Sequence, residues 1–196
     1  MTTPARPEAL KDILRREAHA RREALPPADR AAAAAAIAAR ALPVTVGPGV
    51  IVSGFSPMGS EIDPTPLLRA FAEKGARLAL PVVAGRGKPL IMREWRFGEP
   101  LVAGVWGIRQ PPPDAPEVDP DVLIVPLLAF DRRGHRIGYG AGYYDMTIAA
   151  LRARKPVTAI GLAFAVQEID AVPNAPHDAR LDLVLTETEI IDLRTA

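Results

Sequence analysis

The sequence predicts an α/β fold: a three-layer sandwich around a mostly parallel sheet, with an N-terminal helical hairpin packed on it. Three observations carry this. From residue 50 onward, short apolar runs alternate with helical stretches. The runs, Val122 to Phe130 above all, are apolar at consecutive positions rather than alternate ones, as in strands covered on both faces. The chain has 196 residues, enough for one domain, 1–196, that buries a full core.

The elements follow in order. Leu10, Ile13, Leu14 and Ala18 fall at helical spacing with charges on the other face. Pro26-Pro27 breaks that helix, and Pro27-Ala28-Asp29 opens an alanine-rich helix that ends before Pro43. Gly47-Pro48-Gly49 is a turn, and Val50 to Ser53 reads as a buried strand. Asp63-Pro64 starts a helix with Leu67, Leu68 and Phe71 on one face, ending near Gly75. Arg77 to Val83 and Leu90 to Phe97 read as strands, and Gln110 to Pro120 as a proline-rich loop. Val122 to Phe130 is the strongest strand, Gly142 to Arg154 a helix, and Val157 to Phe164 and Leu181 to Leu185 further strands. The alternation is Rossmann-like. Ligands of such sheets sit beyond the carboxyl ends of the strands, which singles out the loops after Val52, Phe130 and Phe164.

Composition removes several function classes. There is no cysteine, hence no disulfide scaffold, thiolate nucleophile or cysteine zinc site. His19, His135 and His177 show no metal-ligand spacing. The formal charge of +1 provides no global field for a nucleic acid. No apolar run approaches the ~18–20 residues of a membrane span, and the charged N-terminus has no signal-peptide core. The expectation is a cytoplasmic monomer without nucleic-acid or membrane partners.

The segment DRRGHRIGYGAGYYD, after the strand ending VPLLAF, carries most chemical information. Gly138, Gly140 and Gly142 alternate before a helix that begins near Tyr143. Glycine admits positive φ and a close approach to the backbone, and the free N–H groups of a helix start attract anions. Asp145, in the first helical turn, is placed to hold Mg²⁺ beside phosphates, and Arg136 to pair with one of them. The same features also serve an ordinary strand-to-helix turn with an acidic first-turn residue. Neither G-x-x-x-x-G-K-[ST] nor G-x-G-x-x-G is present. Lys11 and Arg15, four apart, share a helix face that could grip a polyanion or simply be solvated.

AFDRRGHRIGYGAGYYD resembles the signature of the 5-formyltetrahydrofolate cyclo-ligase (5,10-methenyltetrahydrofolate synthetase) family, close to FD-x-x-G-x-R-L-G-Y-G-G-G-Y-Y-D. Ile137 replaces leucine and Ala141 the middle glycine. KDILRR, SPMGSEID, LPVV, IMREWRFGEPLVAGVWGIRQP and VPNAPHDARLD extend the resemblance in order over nearly the whole chain. It implies an ATP- and Mg²⁺-dependent ligase of one-carbon folate metabolism that forms a C–N bond. Such an enzyme converts 5-formyltetrahydrofolate to 5,10-methenyltetrahydrofolate and releases ADP and phosphate.

By the same resemblance, Lys11 and Arg15 would contact ATP phosphates. The stretch Arg136, Ile137, Gly138, Tyr139, Gly140, Ala141, Gly142, Tyr143 and Tyr144 would wrap them, with Tyr139 to Tyr143 also bordering the folate. Lys11, Arg136, Tyr143 and Asp145 would be the catalytic set, and Asp145 and Asp178 the metal ligands. Asp178 also suits a capped turn. Glu61 would meet the N–H edge of the pterin. Phe55 and Trp106 would wall that ring, although tryptophan equally suits a core. Arg16 and Arg22 are expected to be solvent-exposed. Gln110, where the family often has Glu, and Asn174-Ala175, in a commonly acidic stretch, depart from the pattern. A non-catalytic folate- or nucleotide-binding relative is the alternative. Another is a relative that activates a different formyl or carboxamide compound.

Overall fold

Proline and glycine punctuate the chain where helices begin and strands turn. The computed structural model describes residues 7–194. Helix α1 (Pro7–Glu23) ends before the Pro26-Pro27 break, and α2 (Pro27–Ala38) starts on a proline, whose missing N–H is harmless there. Strand β1 (Ile51–Ser53) leads through α3 (Thr65–Glu73) to β2 (Arg77–Val82) and β3 (Ile91–Glu94). A small hairpin follows: β4 (Val102–Ala103) and β5 (Arg109–Gln110) flank a 3-10 turn at Val105–Gly107. Next come β6 (Val122–Pro126), β7 (Ala129–Phe130), β8 (Arg136–Ile137) and α4 (Tyr143–Arg152). The chain closes with β9 (Thr158–Leu162), a 3-10 turn at Ala165–Gln167, β10 (Leu183–Leu185) and β11 (Ile190–Asp192).

Seven strands form the main sheet in the order β11-β10-β9-β6-β1-β2-β3. The inner pairs are parallel, and only the outer pairs β10/β11 and β2/β3 run antiparallel. One face buries Val52, Leu78, Ile124 and Ile160 under Ile37 of α2 and Leu67, Leu68 and Phe71 of α3. The other buries Leu123, Val125, Ala159 and Val184 under Ile148 and Leu151 of α4. Each large aliphatic side chain buried this way contributes about 1.5–3 kcal/mol. Among the described residues, no helix is long and apolar enough to cross a membrane.

Three local expectations change. The apolar run Val122 to Phe130 is not one strand: it leaves the main sheet after Pro126, and Ala129–Phe130 pairs antiparallel with Arg136–Ile137. Consecutive apolarity reports burial, and Leu127 to Phe130 stay buried in that hairpin. The two N-terminal helices take different neighbours, α2 lying on α3 and α1 along β7 and β8. Finally, α1 turns only half of its apolar stripe inward: Leu14 and Ala18 pack with Leu128, Ala129 and Ile137. Leu10 and Ile13 are exposed, whereas Lys11, Ala18 and Arg22 are buried. On the same side Lys11 and Arg22 meet hydrogen-bond partners, and Arg22 is buried, not solvated.

Candidate active site

Strands β1 and β6 lie side by side at the centre of the sheet, and the chain departs from them in opposite directions. The loops leaving their carboxyl ends must diverge, and a crevice opens between them. A cleft of about 780 Å³ occupies that place. Phe55, Ser56, Met58 and Glu61 line it from the loop after β1, Pro81 and Val83 from the end of β2, and Pro126 from the end of β6. Every residue from Arg136 to Met146 contributes, as do Lys11 and Arg15 of α1, Trp106 and Gln110 of the small hairpin, and Asp178. The site residues read from the sequence therefore converge on one cleft. The loop after β9 is the exception among the three anticipated loops. Its buried Gln167 donates to the carbonyls of Leu127 and Leu128 and braces the β7–β8 hairpin instead.

The glycine loop has the conformation its composition demands. Gly140 and Gly142 have φ of 95° and 67°, a region that L side chains enter at a cost. Ala141 between them has no positive φ, so a methyl group there is unstrained. Ile137 is buried, where either branched aliphatic residue fits. The N–H groups of Tyr139, Gly140, Ala141 and Gly142 donate to no protein acceptor among the described residues. They stand at the start of α4. Arg15 lies over them, donating from Nε to the Gly138 carbonyl at 3.1 Å and holding Asp12 at 2.5 Å. A Cβ on Gly140 would come to 3.5 Å from the Arg15 guanidinium.

The two aspartates read as metal ligands are held in parallel fashion. Asp145 Oδ1 accepts from the Ala179 N–H at 2.9 Å and lies 3.0 Å from Arg136 Nη2. Asp178 Oδ2 accepts from Lys11 Nζ at 2.9 Å and from the Ala175 N–H at 2.8 Å. Burial pushes the Asp178 carboxyl up, but Lys11 and the Ala175 amide outweigh it and keep the group below the usual carboxylate range. The other oxygen of each carboxylate has no hydrogen-bond partner among the described residues, although Asp178 Oδ1 lies 3.7 Å from His177 Nε2. Because Ala179 follows Asp178, the two acids are drawn to one corner. No group of three or more potential metal-ligating side chains exists among the described residues. Arg136 is nearly buried, its side chain 4% exposed, and is directed at Asp145 and the Ala179 carbonyl rather than into open solvent.

Glu61 occupies the opposite wall and is 7% exposed. Its Oε1 accepts from the Tyr139 hydroxyl at 2.5 Å and its Oε2 from the Met58 N–H at 2.7 Å. Burial raises its pKa, and these bonds, with the nearby Arg22, only partly offset that. The Tyr139 and Tyr144 hydroxyls are pushed up, first by burial and then by the Glu61 charge. Phe55 belongs to the core and presents its ring to the cleft. Trp106 is no core residue: it is 70% exposed, has a left-handed backbone with φ of 56°, and stands 6.4 Å from the Tyr143 ring. The two departures from the family pattern make local contacts. Gln110 packs over Gly104, and Ser56 Oγ donates to the Arg109 carbonyl beside it, fixing the hairpin to the β1 loop. Asn174 shares a hydrogen bond with the His135 ring at 2.7 Å.

The sequence reading missed the apolar part of the wall, notably Met58, Val83, Ile108 and Pro126. Val83 and Pro126 stand at strand ends next to the central crevice, a position legible once strand order is known. Comparison with known proteins places these features in context. The sequence model described as the 5-formyltetrahydrofolate cyclo-ligase family matches residues 7–187. The chain is 40% identical over 149 residues to a 5-formyltetrahydrofolate cyclo-ligase of Mycolicibacterium smegmatis, covering 70% of this chain and 74% of that one. It is 32% identical over 147 residues to the enzyme of that name from Escherichia coli K12, covering 71% and 79%. The solved structure of Aquifex aeolicus 5,10-methenyltetrahydrofolate synthetase superposes with a TM-score of 0.78 at 27% identity, over 94% of this chain and 93% of that one.

Proposed function

The chain belongs to the 5-formyltetrahydrofolate cyclo-ligase family, and from that premise we propose that its central cleft converts 5-formyltetrahydrofolate to 5,10-methenyltetrahydrofolate at the expense of ATP. The observation that carries the proposal is the pairing of two unlike walls in one cleft. One wall has four uncommitted backbone N–H groups beneath Arg15, and the other has the Glu61 carboxylate. The amides suit a triphosphate, and the carboxylate suits the adjacent N–H donors of a pterin.

The formyl group on N5 is amide-like, and its oxygen is a poor leaving group. Attack by that oxygen on the γ-phosphorus, with ADP leaving, converts it into a phosphate ester. N10 then adds to the formyl carbon, loses its proton, and phosphate departs as the five-membered ring closes. The cleft serves this sequence mainly through alignment and charge neutralisation. Lys11 has three donors and uses one on Asp178, leaving two for phosphate oxygens. Arg15 and the loop amides hold the remaining charge. Glu61, Phe55 and Trp106 orient the pterin so that N10 faces the formyl carbon. Arg136 supports the loop by fixing Asp145. The oxygens of Asp145 and Asp178 left without a hydrogen bond fit Mg²⁺, which takes one or two carboxylates and keeps several waters. Bound there, the ion would supply charge neutralisation to the phosphates.

Incubation of the purified protein with ATP, Mg²⁺ and 5-formyltetrahydrofolate, with each omitted in turn, tests the proposal. The expected result is the absorbance of the methenyl product with equimolar ADP, only in the complete mixture. Stoichiometric ligand uptake without ADP would identify a binding protein instead.

A further inference from the structure

Lys11, Arg15, Ala18 and Arg22 step i, i+4, i+7, i+11 along α1 and so form one stripe. The first two cations line the cleft; Arg22 does not. Arg22 stands behind the wall, 1% exposed, and forms no salt bridge with a carboxylate among the described residues. Burying a guanidinium is costly unless its charge is answered. Its partners are two hydroxyls. Nε donates to Ser60 Oγ at 3.1 Å and Nη1 to Tyr139 Oη at 2.9 Å. Tyr139 in turn donates a hydrogen bond from its hydroxyl to Glu61 Oε1 at 2.5 Å. The counter-charge of Arg22 is therefore Glu61, reached through one phenol.

We propose that Arg22 is a positioning residue for the pterin. Through the hydroxyls of Tyr139 and Ser60 it holds the Glu61 carboxylate in the orientation that meets the substrate. The role rests on the assignment of Glu61 to the pterin made above. Ser60 precedes Glu61 directly, so the guanidinium fork braces the acid from two sides, by its backbone and by its Oε1.

The groups facing Glu61 are Tyr139 from the glycine loop, Arg22 from α1, Tyr144 from α4 and the Met58 N–H from its own loop. Only Arg22 among these is cationic, and it favours the ionised acid. Its removal makes Glu61 protonate at higher pH.

Steady-state kinetics of Arg22→Met, Arg22→Lys, Tyr139→Phe, Glu61→Gln and the double variant Arg22→Met/Tyr139→Phe test the role. Tyr139→Phe removes one oxygen from a half-exposed ring and keeps the test valid should Arg22→Met fold poorly. Arg22→Met and Tyr139→Phe are each expected to raise KM for 5-formyltetrahydrofolate about tenfold, as for loss of a charge-assisted bond. KM for ATP should move less than about twofold. The double variant should be no worse than the weaker single one, because both act through one relay. In Arg22→Met, the loss of folate affinity on acidification should begin at higher pH, and Arg22→Lys should recover part of both effects. A proportional rise in both KM values, or a lower melting temperature with both KM values intact, would reduce Arg22 to a structural residue. If Glu61→Gln raises folate KM while Arg22→Met and Tyr139→Phe do not, the positioning role alone falls. If Glu61→Gln leaves folate KM unmoved, the pterin assignment falls and takes the positioning role with it.

Discussion

Asp145 is asked to do two things, and Asp145→Asn separates them. In the folded chain its Oδ1 answers the Ala179 N–H and the buried Arg136 guanidinium, while the other oxygen stays free for a cation. The Asp145 side chain is 23% exposed and that of Arg136 4%, so solvent screens the pair only in part. Asparagine keeps an oxygen for Ala179 but removes the negative charge. Arg136 retains its bond to the Ala179 carbonyl at 2.8 Å. The cost should thus be that of one buried charged group losing its best partner, about 1–3 kcal/mol. Complete removal in Asp145→Ala should approach the ~3–5 kcal/mol of a broken buried pair. At this chain length each kcal/mol moves the unfolding midpoint by about 2–4 °C. A loss near 2 kcal/mol therefore appears in calorimetry, run without nucleotide or Mg²⁺, as a fall of about 4–8 °C. Turnover at saturating ATP should drop about a hundredfold or more, the scale for deleting one preorganised electrostatic group. Wild-type turnover with an unchanged Mg²⁺ dependence would remove Asp145 from metal binding. An unaltered melting midpoint would show that the Arg136 pair does not support the fold.

Lys11→Ala should weaken ATP about tenfold or more with a smaller effect on folate, as judged from the two KM values, because the proposed function sets Lys11 on the phosphates and its deletion also frees Asp178. Gly140→Ala forces a side chain into φ of 95° and against Arg15, costing about 1–2 kcal/mol in chemical denaturation and raising KM for ATP. For Glu61 the sign follows from its raised pKa. The folded state holds the proton more tightly than the unfolded state, so the contribution to stability is full below the ordinary carboxylate pKa and is lost as pH rises through the folded value. Glu61→Gln lacks this loss. Its melting midpoint minus that of the wild type should become more positive from acid toward neutral pH; a flat or falling difference would contradict the raised pKa.

Residue types and spacing alone determined the alternation of strands and helices and the glycine turn with its acidic first helical residue, and the resemblance of the ordered motifs supplied the family. Those features are local: periodicity follows from backbone geometry, and a positive φ favours glycine, with Trp106 the exception among the described residues. Strand order decided the rest. Only when β1 and β6 come together do the Glu61 loop and the glycine loop, 78 residues apart at the Tyr139–Glu61 bond, face each other across one cleft. Only packing shows that α1 turns Lys11, Ala18 and Arg22 inward and leaves Leu10 and Ile13 outside. Hydrophobic periodicity ranks side chains by their cost in water, and it has no means of anticipating a polar face answered by carboxylates, carbonyls and hydroxyls from distant segments.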